Sequence, residues 1–223
     1  MQITTDEYIF YKNGFFKINQ TILFSWIVMA ILILIAILIN RKIKKRAVNN
    51  KNISALQATM ELVIDFIENQ IKSGTSARAK TIFPFVATLF LFIVFSNLIS
   101  LIPFCHSPTG SLSTTLALSL TTFIFAIANG IREKGLKYFK KYFEPIFIMA
   151  PMNIVGDISK VASMSIRLYG NVVSSSVVIA ILSEIMFLSV GFPILINILG
   201  MISGVIQAYI FSTLAIMLMS LNN

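Results

Sequence analysis

The feature that most constrains this chain is a run of 51 residues, from Thr81 to Ile131, that contains no Asp, Glu, Lys or Arg. Soluble domains carry roughly 25% charged residues, whereas this protein of 223 residues is 57% hydrophobic and only 12% charged. An ordinary soluble enzyme is therefore excluded. Because a helix of about 20 apolar residues is long enough to cross the hydrocarbon core of a bilayer, the sequence predicts a helical membrane protein.

The apolar stretches predict five transmembrane helices. Ile18 to Asn40 is uncharged and is followed, not preceded, by basic residues, so it is read as a retained span and not as a cleaved secretory signal. Pro103 and Pro108 divide the 51-residue run, and Gly191 and Pro193 divide the last apolar segment. We predict a single all-α, multi-pass membrane domain over residues 1–223, with spans at about 18–40, 81–103, 112–131, 152–187 and 193–219.

The positions of the basic residues support this topology. Eighteen Lys and Arg against nine Asp and Glu give a net charge of +9, a balance that is also found in proteins that bind nucleic acid. Fourteen of the 18, however, lie in segments 41–80 and 132–144. Five spans with an outer amino terminus place both segments in the cytoplasm, where basic residues concentrate. The charge therefore marks one membrane face, and we expect no nucleic-acid partner.

Residues 53–71 are predicted to form an amphipathic helix in the first cytoplasmic segment. Apolar residues recur there at helical spacing, while Glu61, Asp65 and Glu68 lie on the opposite side. The apolar face suits the membrane surface or a partner. It suits the body of this protein equally well, because an acidic polar face does not seek anionic lipid.

Arg167 lies within the predicted fourth span, where a charge costs about 2.5 to 3.5 kcal/mol on insertion scales. Steps of three and four residues place six polar side chains on one stripe of this span, and they are Asn153, Asp157, Lys160, Arg167, Asn171 and Ser174. Asp157 and Lys160 are three residues apart, so we expect them to pair. No carboxylate lies three or four residues from Arg167, so its counter-charge must come from elsewhere.

The fifth span presents a small, polar face that is predicted to meet this stripe. Its members recur at helical spacing, namely Asn197, Gly200, Ser203, Gly204 and Gln207. Gly200 and Gly204 form a GxxxG motif, which predicts close packing between helices. Gln207 is a candidate hydrogen-bond partner for the guanidinium of Arg167.

Weaker signals lie elsewhere in the chain. Glu184, near the outer end of the fourth span, either receives ions or is a solvated interfacial residue, and His106 is a loop histidine that relays protons or has only a structural role. Residues 74–81, GTSARAKT, approach the phosphate-binding pattern GxxxxGK[ST], but Ala79 replaces the required glycine, so we expect no nucleotide site. The single cysteine, Cys105, forms no intrachain disulfide. We predict neither a metal site nor a cofactor.

The segment SMSIRLYGN, from Ser163 to Asn171, resembles the arginine segment that characterises subunit a of F-type ATP synthases. FVATLFLFIVFSNLISLIP and PTGSLSTTLALSL, at 85–103 and 108–120, resemble the second and third spans of that family. QAYIF, from Gln207 to Phe211, resembles part of its last span. Together these segments cover most of residues 81–223.

The resemblance implies an ion-translocating stator subunit that performs no bond chemistry of its own. In this interpretation Arg167 faces a rotating ring of c subunits, whose carboxylates supply the missing counter-charge, and the last two helices pack as a hairpin against that ring. Two half-channels carry H⁺ or Na⁺ to and from the ring and couple ion flow to ATP synthesis. Asn171 and Gln207 match polar family positions that orient the arginine or line the path, and Ser176 and Glu184 are weaker candidates.

The resemblance also implies the partners and the location. The partners are the c ring, a peripheral-stalk b subunit, the F1 catalytic sector indirectly, and the lipid bilayer. The implied location is the plasma (inner) membrane of a bacterium, with an organellar inner or thylakoid membrane as the alternative. A self-contained transporter is a competing class, but the paired inverted repeats typical of that class are not visible in the sequence. A simple membrane anchor does not explain why a charged residue, Arg167, lies within a predicted span.

Two departures from the family pattern leave the coupling ion open. Ser176 stands where many proton-using members have Glu, and Gly200 stands where many have His. The hydroxyls of Ser174, Ser175 and Ser176 can solvate Na⁺ through oxygen, but protons also move along water held by such groups. The sequence therefore does not choose between H⁺ and Na⁺.

Overall fold

A computed structural model describes residues 9–13, 16–47, 62, 64–71, 79–100, 107–135, 150–185 and 191–221. Most of these residues are helical, which confirms the all-α membrane class. The helices are α1 (Gln20–Ala47), α2 (64–71), α3 (Ala79–Ile99), α4 (Leu112–Lys134), α5 (Ala150–Ile185) and α6 (Gly191–Leu221). A short 3-10 turn, Pro108–Gly110, precedes α4.

An antiparallel β-hairpin precedes α1 and was not anticipated from the sequence. Its strands are β1 (Ile9–Asn13) and β2 (Phe16–Asn19), with Tyr11 paired to Ile18 and Asn13 paired to Phe16. Gly14 is the first of the two residues between the paired Asn13 and Phe16. Glycine at that position is typical of two-residue hairpin loops and is the signal that could have revealed the hairpin.

Among the described residues, four helices contain stretches that are long and apolar enough to cross a membrane. They are Thr21–Leu38 in α1, Thr81–Ile99 in α3, Leu112–Arg132 in α4 and Leu195–Ser220 in α6. The 36-residue α5 is not among them on this criterion of length and hydropathy. Membrane crossing by α5 therefore stays a prediction.

The start of α4 is fixed by a turn that is buried inside the protein. Pro108, Thr109 and Gly110 are all buried, and the N–H of Ser111 donates to the carbonyl oxygen of Pro108 at 3.4 Å. The hydroxyl of Thr114 donates to the carbonyl oxygen of Ser111 at 2.9 Å and also to that of Pro108. Polar backbone groups that are buried in this way need internal hydrogen-bond partners, because they are shielded from water.

Helices α3, α5 and α6 form the main core. Its fully buried side chains include Val86 and Ile93 from α3, Leu168 from α5 and Phe211 from α6. Helix α1, by contrast, is largely exposed, with Trp26 62% accessible. Exposed apolar surface of this kind suits contact with lipid.

Helix α2 packs on the protein itself. Ile67 and Ile71 are buried in the core, and the ring of Phe66 lies 5.7 Å from the ring of Tyr209 in α6, measured between centroids. The hydroxyl of Thr213 donates to Oε1 of Gln70 at 3.3 Å. Of the two interpretations of the predicted amphipathic helix, packing on its own protein holds for 64–71, and residues 53–61 lie outside the described ranges.

Candidate functional site

Arg167 is exposed on the surface of α5. Within the part of the chain that the structure describes, its guanidinium forms no ion pair and no hydrogen bond. The positions three and four residues away hold Ser163, Met164, Gly170 and Asn171, none of which carries a charge. The positive charge therefore has no compensating acid among the described residues.

The other two charged residues in the described stripe neutralise each other, as the sequence predicts. Nζ of Lys160 lies 2.8 Å from Oδ1 of Asp157, one turn apart on α5. The side chain of Lys160 is 51% exposed, so this pair contributes little to stability. Because Asp157 and Lys160 neutralise each other, Arg167 is the charged residue of this stripe for which the structure describes no partner.

A groove of about 390 Å³ runs between α5 and α6 beside the arginine. Small residues open it on the α5 side, whereas long apolar residues close it on the α6 side. Its lining consists of Gly156, Ser159, Lys160, Ser163, Met164, Arg167, Leu214, Met217 and Leu218. The guanidinium is thus presented beside a largely aliphatic surface.

Asn171 lies one turn beyond Arg167 and joins α5 to α6. Its Oδ1 accepts a hydrogen bond of 2.5 Å from the hydroxyl of Ser203. Its backbone oxygen accepts hydrogen bonds of 3.1 Å from the hydroxyls of both Ser174 and Ser175. The next serine, Ser176, is exposed and donates to the carbonyl oxygen of Val172 at 3.0 Å.

The two glycines of the GxxxG motif face two different helices. A Cβ atom added at Gly200 would lie 3.0 Å from Oγ of Ser175 in α5. A Cβ atom added at Gly204 would lie 2.8 Å from Cγ and Nδ2 of Asn97 in α3. The prediction of close helix packing at this motif is therefore confirmed.

Asn97 was not among the residues singled out from the sequence. It is only 4% exposed, and its Nδ2 donates to the carbonyl oxygen of Gly204 at 3.2 Å. Its Oδ1 accepts a 3.4 Å hydrogen bond from Thr109, whose hydroxyl also lies 2.7 Å from that of Ser107. An amide within a span that carries no charge is the signal that could have identified it.

A second polar contact, between α4 and α5, lies close to the arginine. The hydroxyls of Thr115 and Ser165 are 3.1 Å apart, and both residues are fully buried. Ser165 precedes Arg167 by two residues, and Thr115 belongs to the first turn of α4. The beginning of α4 therefore lies beside the turn of α5 that carries the arginine.

The remaining candidates are Gln207, Glu184 and His106, and the structure describes the side chain of Gln207 only. Gln207 is 6% exposed on α6, and no hydrogen bond joins it to Arg167 within the described ranges. The side chain of Glu184 and the whole of His106 lie outside what the structure describes. The structure thus brings Asn171 and the polar face of α6 together, but it does not join Gln207 to the guanidinium.

The fold and the site define a helical membrane protein with an arginine that no described acid compensates, next to polar residues that join α5 to α6. A sequence profile of the ATP synthase A chain family matches residues 22–220. The chain belongs to this family.

Individual relatives cover nearly the whole chain. It is 39% identical over 216 residues to ATP synthase subunit a 2 of Acaryochloris marina, covering 96% of this chain and 90% of the relative. It is 42% identical to ATP synthase subunit a 1 of Chlorobaculum parvum, at 96% and 93% coverage. It is 41% identical to ATP synthase subunit a of Albidiferax ferrireducens, at 96% and 91% coverage.

Proposed function

We propose that this protein is the ion-translocating stator subunit of an F-type ATP synthase. Two half-channels carry H⁺ or Na⁺ to and from a rotating ring of c subunits, so that ion flow is coupled to ATP synthesis. The observation that carries the proposal is the guanidinium of Arg167, which is exposed on α5 without an acidic partner among the described residues. A carboxylate on each c subunit supplies that partner.

The strength of this contact suits a moving interface. At a separation of about 4 Å, an arginine and a carboxylate attract each other by about 4 kcal/mol at an effective dielectric constant near 20. That attraction favours the ionised carboxylate and promotes release of its bound ion, yet it is weak enough for the ring to move on. The same positive charge repels cations between the two half-channels, so ions must travel with the ring.

The surface around the arginine leaves room for a ring to approach. A Cβ atom added at Gly156 or at Gly170 would meet nothing within 4 Å, so these positions are open on the face of α5. Asn171 and Gln207 are assigned to orienting Arg167 or to lining the aqueous path, and Ser176 and Glu184 are weaker candidates, Glu184 for the outer mouth of that path.

The proposed assembly and location follow from the same assignment. The subunit performs no bond chemistry itself and works with the c ring, a peripheral-stalk b subunit and, indirectly, the F1 sector. We place it in the plasma membrane of a bacterium, which the bacterial origin of relatives such as that of Chlorobaculum parvum supports.

Substitution of the arginine tests the proposal. In complexes reconstituted into vesicles, Arg167→Ala should abolish ATP synthesis driven by an ion gradient, because cations then pass between the half-channels without turning the ring. The catalytic head should still hydrolyse ATP. Arg132→Ala is the matched control, since Arg132 is an exposed basic residue at the end of α4, away from the groove. Coupled synthesis by the Arg167 variant at the level of this control would refute the proposal.

A further inference from the structure

Asn97 connects α3 to the place where α5 and α6 meet. We call this place the α5–α6 joint and define it as Asn171 and Ser175 on α5 with Gly200 and Ser203 on α6. Its two contacts are the 2.5 Å hydrogen bond from Ser203 to Asn171 and the close approach of Gly200 to Ser175. The joint begins one turn beyond Arg167.

The contact with Asn97 adjoins this joint on α6. Gly204 directly follows Ser203, and its carbonyl oxygen accepts the 3.2 Å hydrogen bond from Nδ2 of Asn97. The absence of a side chain at Gly204 permits this approach, because a Cβ atom there would lie 2.8 Å from the amide. Asn97 therefore bonds the backbone of α6 directly, and a shift of α6 along its axis breaks this bond and the Ser203 bond together.

The amide of Asn97 is itself held in place. It is almost fully buried, and Thr109, in the turn before α4, donates to its Oδ1. Thr109 in turn is paired with Ser107. Both ends of the Asn97 side chain are thus occupied, which fixes the orientation of the amide.

We infer that Asn97 is a positioning residue, which sets the register of α6 against α5 and thereby keeps the α5–α6 joint aligned beside Arg167. The inference rests on the proposed function for its consequence in ion transport. It predicts in addition a change in helix register that can be measured without any ion flow.

A disulfide at the joint measures the register. A Cβ atom at Gly200 lies 3.4 Å from Cβ of Ser175, close to the roughly 3.5 to 4.5 Å that disulfides span. In the assembled complex, with Cys105→Ser to remove the natural thiol, the pair Ser175→Cys and Gly200→Cys should form a disulfide rapidly under a mild oxidant. The rate of its formation reports how often the two helices are in register.

The test combines this pair with Asn97→Leu, which keeps a similar shape and suits an apolar helix but cannot donate a hydrogen bond. Loss of one buried hydrogen bond raises the ratio of displaced to aligned helices by up to about tenfold. An aligned fraction of about nine-tenths would then fall to about one-half, so the disulfide should form about twofold more slowly. Asn97→Ala is the second variant and should give the same direction. Ser96→Ala is the matched control, because Ser96 is buried beside Asn97 and its hydroxyl has no partner among the described residues. Disulfide formation at the parent rate in both Asn97 variants would overturn the inference.

Ion transport in the natural sequence background provides the second measurement. Asn97→Leu and Ser203→Ala should each lower ATP-driven ion uptake per assembled complex. Because both act through the bond between Ser203 and Asn171, the double variant should be no slower than the slower single variant. If the losses multiply instead, Asn97 does not act through the joint. The disulfide rates involve no ion flow, so a failure of the Arg167→Ala prediction would leave the register measurement unaffected.

Discussion

The guanidinium of Arg167 lies on a groove wall that is mostly aliphatic, and this setting determines how strongly it attracts a carboxylate. At about 4 Å the attraction is about 1 kcal/mol in bulk water and about 4 kcal/mol at an effective dielectric constant near 20. Lys160 lies on the same groove, but Asp157 holds it at 2.8 Å. An approaching carboxylate is therefore directed to Arg167 and not to Lys160.

Gly204 lies in a tight contact with Asn97, whereas Gly156 has open space around it. This difference gives a prediction at the scale of single residues. Gly204→Ala should lower the free energy of unfolding by about 1 to 3 kcal/mol, because overpacking at a tight contact forces neighbouring groups to move. The measurement is reversible unfolding of the subunit in mixed micelles with increasing SDS.

Gly156→Ala is the control for this experiment, since a Cβ atom there meets nothing within 4 Å. It should be neutral or should raise stability by up to about 1 kcal/mol, because glycine is a poor residue within a helix. Equal unfolding midpoints for the two variants would contradict the tight contact between Gly204 and Asn97.

At the scale of elements, α5 and α6 are longer than a bilayer requires. Their 36 and 31 residues correspond to about 54 and 46 Å, against a hydrocarbon core of about 30 Å. As predicted spans, helices of this length would tilt or extend beyond the core. The 21 residues of α3 give about 31 Å, which matches the core. The first turn of α4 contacts α5 at Ser165, so the 20 residues of α5 after Ser165 continue past that contact.

The packing of α2 gives a prediction at the same scale. Ile71 is fully buried in the core, whereas Leu62 is 70% exposed. Ile71→Ala should lower the free energy of unfolding by about 2 to 5 kcal/mol, because it removes buried methyl groups and leaves a cavity. Leu62→Ala should change it by less than about 0.5 kcal/mol. The same SDS titration compares them, and similar losses for both variants would show that α2 is not anchored through Ile71.

For the molecule as a whole, the serines that follow Arg167 bear on the coupling ion. The hydroxyls of Ser174, Ser175 and Ser176 all donate to backbone carbonyl oxygens of α5. Each serine has one donor and two acceptor lone pairs, so these residues offer mainly oxygen lone pairs to anything that approaches. Oxygen ligands without a titratable group suit a hard cation better than a side-chain proton relay.

Direct solvation of the ion by these serines predicts sodium coupling, whereas conduction through water that they hold predicts proton coupling. In the first case, in sealed vesicles that contain the whole complex, ATP should drive Na⁺ uptake that persists when an uncoupler collapses the proton gradient. A parallel sample with a sodium ionophore is the control and should lose the accumulated Na⁺. Loss of uptake with the uncoupler alone would show that protons are the coupling ion.

Several features of the molecule were predictable from the sequence because they depend on neighbours along one helix or on solvent. The pairing of Asp157 with Lys160 follows from a spacing of three residues on a helix. The close packing at Gly200 and Gly204 follows from their GxxxG spacing. The spacing along the helix also predicted that Arg167 has no acidic partner on α5, since no acid lies one turn away in either direction.

The features that the sequence did not reveal depend on contacts between distant segments. The bond from Asn97 to the backbone of Gly204 spans 107 residues, and no local pattern specifies that α3 packs on this turn of α6. Contacts between distant segments also determine which helix Gly200 and Gly204 each face. The packing of α2 on Tyr209 has the same cause.

The sequence by itself determined the membrane class, the helical periodicity and the lack of an acid near Arg167 on its own helix, because hydrophobicity and spacing along a helix are local properties. Only the tertiary structure decided which side chains meet across helices. That choice depends on how complementary surfaces pack, and small residues such as Gly204 permit several partners until the whole bundle is assembled.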